Sequence, residues 1–140
     1  MMFSRTFMVR EATKKMGHHL DVTLNRTDLA YRLSVMVGEM REMMIAAQSL
    51  SDALYQKRGE KDIRVRAAAF LHEMADVAYT LDGTAATFGW DMDKAFEAVH
   101  AANMTKEAPG DPFTKWKKGE GFKPADMTEA LGAPSDTKAA

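Results

Sequence analysis

The sequence predicts an all-α protein. Apolar residues recur at helical spacing, no stretch alternates as a strand would, and all four prolines fall beyond residue 107. We expect a bundle of about four to five helices followed by an extended C-terminal tail. The first helix runs from Arg5 to Met16 and stops at Gly17, a residue free to leave the helical conformation. His18 to Thr27 is a connector. Thr27 or Asp28 can cap the second helix, which reaches about Ala53 and carries the stripe Leu33, Met36, Val37, Met40, Met44 and Ala47. Gln56 to Asp62 is a charged turn. Asp62 can cap a long third helix from Ile63 to Phe88, on which Phe70, Glu73, Val77 and Thr80 share a face. Gly89 ends it, and Asp91 or Asp93 opens a fourth helix through Asn103.

Beyond Glu107 the composition changes to proline, glycine and lysine, with short helical pieces at most and a disordered end from Ser135 to Ala140. We therefore divide the chain into a helical domain, 1–106, and a tail, 107–140.

With 140 residues, the chain is long enough for one domain with a core. Its 19 basic and 20 acidic side chains nearly cancel, which argues against a broad nucleic-acid-binding surface. The absence of cysteine removes disulfide, zinc-thiolate and thiol-nucleophile chemistry. No stretch resembles a membrane span or a signal peptide, so a cytoplasmic protein is expected. Its 12 methionines read as core filler rather than soft-metal ligands.

Two carboxylate pairs carry the chemistry. Glu39 and Glu42 sit on the second helix, and Glu73 and Asp76 on the third. Within each pair the two acids lean to one side of a helix, about 60° apart around its axis. Both pairs lie in apolar surroundings, where four charges are costly unless protons or cations neutralise them. Hard oxygen ligands suit Mg²⁺, with Mn²⁺ as a substitute. Any one acid alone would read as a solvated helix face. The four together read as metal ligands.

A third element, Val99-His100-Ala101-Ala102-Asn103-Met104-Thr105-Lys106, closes the fourth helix. Its spacing puts His100 and Asn103 on one side, with Lys106 a turn beyond. Lysine suits phosphate, and asparagine offers both a donor and an acceptor.

An E-x-x-E pair, an E-x-x-D pair on the next long helix, and this last segment together resemble the all-α nucleoside triphosphate pyrophosphohydrolases. That group includes MazG and the phosphoribosyl-ATP pyrophosphohydrolases. The likeness extends over residues 7 to 127, including Gly121-Phe122-Lys123-Pro124 in the tail, which is similar to small phage-type members. Many relatives carry Phe-His in the first helix where this chain has Ala12-Thr13, a difference that bears on the base or sugar pocket.

The resemblance implies a MazG-like bundle completed by pairing into a dimer or tetramer. It implies Mg²⁺-dependent cleavage of a nucleoside triphosphate between the α and β phosphates, giving monophosphate and pyrophosphate. It also implies a deoxynucleotide, dGTP or another, as substrate. Metal would sit on Glu39, Glu42, Glu73 and Asp76. Glu39 or Glu42 would orient the attacking water as general base. Asn103 and Lys106 would hold sugar and phosphate oxygens, and His100 would touch the ligand or pack behind it. Tyr79, Phe88 and Trp90 are aromatic candidates for the base, though each fits a core equally well.

A carboxylate-bridged di-iron bundle is a competing reading, but it needs two E-x-x-H motifs, and this chain offers only Glu97-x-x-His100. A non-catalytic helical adaptor would explain the helices and leave the four acids unexplained.

Overall fold

The structure is a computed structural model, and it describes residues 3–133. The end expected to be disordered, Ser135 to Ala140, lies outside the described residues. Among the described residues five helices follow one another: α1 (Arg5–Lys15), α2 (Arg26–Tyr55), α3 (Glu60–Thr87), α4 (Met92–Met104) and α5 (Thr128–Leu131). Among the described residues no β-strand forms, and one isolated bridge joins Glu107 to Lys117 in the tail. No described helix is long and apolar enough to cross a membrane.

Helix ends follow local chemistry. Ser4 caps α1 by accepting from the Phe7 amide. Gly17, at φ +70°, then turns the chain out of α1, its amide bonding to Lys14 O while His18 N bonds to Thr13 O. The cap of α2 is Asn25, whose Oδ1 accepts from the Asp28 amide at 2.9 Å. That places Thr27 and Asp28, the expected caps, inside the first turn. Asn25 wins because its extended backbone lets its own side chain reach the third amide on. α3 likewise starts earlier than expected, at Glu60, behind Gly59, with Asp62 in its first turn. Asp91 caps α4, as one of its two expected alternatives.

Backbone packing divides the chain into two units, Met1–Phe88 and Gly89–Ala140. In the first, α2 and α3 form a long hairpin and α1 packs on α3. Most of its buried core sits at one end of the hairpin, where α1, with Val9 and Thr13 buried, packs on α3, whose Thr80, Asp82 to Thr87 and cap residue Phe88 are buried. The connector closes that end, with Asp21 N bonding to Ala86 O and Val22 N to Thr87 O. The side chain of Asp82, 1% exposed, pairs with Arg5.

The methionines correct one expectation. Met40, Met44 and Met74 are exposed, whereas Met36 and Met43 on α2 are half-buried. One neighbouring long helix covers only one side of α2, so the stripe expected to be core is largely left on the surface. In the second unit α4 and α5 pack together, and the Thr105 hydroxyl takes the Lys123 amide at 2.9 Å.

Candidate metal centre

Glu39, Glu42 and Glu73 converge from α2 and α3. One oxygen from each lies within 4.8 Å of the others. The hairpin makes this possible: Glu39 and Glu42 sit a turn apart on α2, and Glu73 meets them from α3. Glu39 and Glu73 are half-buried and Glu42 is exposed.

Burial pushes the Glu39 carboxyl above its ordinary pKa. The negative charges of Glu42, Asp76 and Glu73 push in the same direction, and His72 partly offsets them. Oε2 of Glu73 is buried and has no hydrogen-bond partner among the described residues. A buried carboxylate oxygen without a donor is costly. Three crowded carboxylates, one with an orphaned oxygen and one resisting ionisation, make a donor set that fits a hard divalent cation.

The fourth expected ligand, Asp76, lies outside this set of three. One carboxylate oxygen lies 3.0 Å from His72 Nε2, one turn back along α3. It is close enough to contribute to the field on Glu39.

Among the residues expected to bind substrate, His100 is exposed on α4, while Asn103 and Lys106 are half-buried at its C-terminal end. Lys106 N bonds to Asn103 O there. Glu97 is exposed beside His100 on α4, whereas the clustered acids lie on α2 and α3. Phe88 is core and Tyr79 is exposed, so the three aromatic candidates do not share one environment.

Sequence reading missed a second constellation in the first unit, formed by His18, His19, Tyr31 and Arg32. A lone arginine in an apolar helix stretch carries no motif. The available signal was Arg32 itself, seven residues before Glu39 on the same α2 face.

The long helical hairpin thus brings acids from its two helices into one donor set for a divalent cation. The family model described as phosphoribosyl-ATP pyrophosphohydrolase matches residues 2–103, and the chain belongs to that family. It is thus a pyrophosphohydrolase-type enzyme of the MazG-like all-helical group. No curated protein matches the chain.

Proposed function

We propose that the protein hydrolyses a nucleoside triphosphate between the α and β phosphates, releasing a nucleoside monophosphate and pyrophosphate. The observation that carries this reading is the buried, unpaired Oε2 of Glu73 inside a cluster of three carboxylates, in a chain of this family. Glu39, Glu42, Glu73 and Asp76 would hold Mg²⁺, with Mn²⁺ as a substitute. When bound, such ions neutralise the acids and polarise phosphoryl oxygens.

The chain's own residues divide the remaining work. Glu39 and Glu42 are the two candidates to orient the attacking water and accept its proton. His72, 3.0 Å from the Asp76 carboxylate, would help to orient it. Lys106 would offset charge on the phosphates, and Asn103 would bind phosphate or sugar oxygens. His100, exposed and one turn before them, would serve as a neighbour to that pair. We assign the catalytic domain to residues 1–106, the substrate class to deoxynucleoside triphosphates including dGTP, and the place of action to the cytoplasm.

Self-association belongs to the same reading. Val37, Met40, Met44 and Ile45 line an open apolar hollow of about 530 Å³ on α2. A second copy that covers it would remove this apolar surface from water.

The decisive experiment is a panel of common and modified nucleoside triphosphates with Mg²⁺ or Mn²⁺, scored for monophosphate and pyrophosphate. We expect equimolar monophosphate and pyrophosphate. Release of diphosphate and orthophosphate, or no release from any nucleotide, would refute the assignment.

A further inference from the structure

Arg32 is buried, 8% exposed, between α2 and α3. Its Nε donates to Thr84 Oγ1 at 3.3 Å and its Nη2 to Thr80 O at 3.1 Å. A Cβ at Gly83 would stand 2.2 Å from Nη2, so the absence of a side chain there is what admits the guanidinium. Among the described residues no carboxylate pairs with this cation, and Nη1 makes no hydrogen bond. Burial lowers its pKa, yet arginine keeps its charge. Nη1 is not sealed from solvent, so the guanidinium keeps a donor that a ligand can reach.

Arg32 lines a cavity of about 170 Å³ together with His18, His19, Tyr31 and Thr87. The rings of His18 and Tyr31, both lining the cavity, stack on each other with centroids 5.9 Å apart. Asp28 also lines it, its carboxylate engaged by His19 at 2.7 Å and by Asn25 at 2.8 Å. An anion would meet that carboxylate, whereas a neutral ring with acceptor atoms would not be repelled. Seven residues separate Arg32 from Glu39. On a helix this is about 10.5 Å along the axis and about 20° of rotation, so the two share a face. With the phosphates at the acids, a nucleoside reaches back toward Arg32.

We infer that Arg32 is a specificity-determining residue that reads the nucleotide's base by an edge carrying two adjacent acceptors. Guanine and hypoxanthine present O6 and N7, and cytosine presents O2 and N3. Adenine sets an amino group beside N7, and thymine separates its carbonyls by an N–H, so neither satisfies the guanidinium fork. The inference rests on the pyrophosphohydrolase reading for its position along the nucleotide.

The test compares kcat/KM for dGTP, dITP, dCTP, dATP and dTTP in the wild type, Arg32→Lys and Gly83→Ala. The wild type should favour the purine pair dGTP and dITP, or else dCTP, over dATP and dTTP by about 10- to 100-fold. Arg32→Lys keeps the charge and loses the fork, so it should erase that preference by slowing only the favoured substrate. Gly83→Ala, which displaces the guanidinium without removing it, should do the same. A wild-type preference for dATP or dTTP, or an equal loss on all five in Arg32→Lys, would overturn the inference. Metal-free calorimetry with dGMP, dCMP, dAMP and dTMP separates the two ideas. Discrimination among monophosphates without any triphosphate cleavage would keep the base reading and remove the proposed reaction. Cleavage without base preference would do the reverse, and neither cleavage nor discrimination would remove both.

Discussion

α2 and α3 pack against each other as one hairpin, yet their two regions are built differently. At one end Gly83, Thr84, Ala85, Ala86 and Thr87 bring the backbones close, α1 and the connector lie over them, and nearly every residue from Thr80 to Phe88 is buried. In the middle, Met40, Met44, Ile45, Leu71 and Met74 stand in solvent around three clustered acids. At the closed end the buried Asp82 carboxylate is paired with Arg5. The open region holds the orphaned Glu73 oxygen and an apolar hollow. Small side chains secure a fold locally, whereas large apolar and acidic ones left unsatisfied are where the proposed metal, substrate and second copy would bind.

If this contrast is right, the largest effect on activity comes from the open region and costs no stability. Glu73→Gln should lower triphosphate turnover by about a hundredfold or more and weaken Mg²⁺ binding. Without metal it should melt no lower than the wild type, because it relieves the repulsion on Glu39. Full turnover at excess Mg²⁺, or a large loss of melting temperature, would show that the acids serve structure instead.

Next in size is assembly. The paired change Met44→Glu and Ile45→Glu puts charge into the apolar hollow on α2. We expect sedimentation to shift from an oligomer to a monomer at micromolar concentration, with the helical content retained. An unchanged oligomer would move the contact surface elsewhere, and a wild-type monomer would remove it.

The difference between the regions also explains what the sequence disclosed. Helix existence was legible because periodicity and capping chemistry are local. The acids were legible because a charged residue between Phe70, Val77 and Thr80 conflicts with its surroundings, and Glu73 is indeed half-buried. The cap at Asn25 was missed because Thr27 and Asp28 offer equally good side chains, and only backbone geometry chooses among them. The exposed methionines were misread because periodicity says which residues share a face, not whether anything covers it. The Arg32 slot was illegible because it depends on Gly83, 51 positions away, coming within contact distance.

At the closed end, apart from the Arg32 slot, the effects should fall on stability alone. Arg5→Ala leaves the Asp82 carboxylate buried without its partner. We expect a loss of about 1–3 kcal/mol, toward the lower value because Arg5 itself is half exposed to water. The urea midpoint measures it, and an unchanged midpoint would mean that Asp82 is rescued by other donors.

The smallest effect tests whether the entry to α2 belongs to the closed end. Asn25→Ala removes the helix cap and should cost about 1 kcal/mol. Asn25 also donates to Asp28, and this bond, ahead of the one from His19, holds the Asp28 carboxyl below its ordinary value of 3.8. A carboxylate whose folded pKa lies below its unfolded one contributes stability that is present above the unfolded value. That contribution is lost as pH falls through the folded value. The stability gap between wild type and Asn25→Ala should therefore hold steady at neutral pH and narrow below 3.8. It should not close, because Asn25 Oδ1 still accepts from the Asp28 amide when the carboxyl is protonated. Turnover of the folded variant at neutral pH should match the wild type. If it falls as steeply as in Glu73→Gln, the helix entry governs the acid cluster, and the two regions act as one.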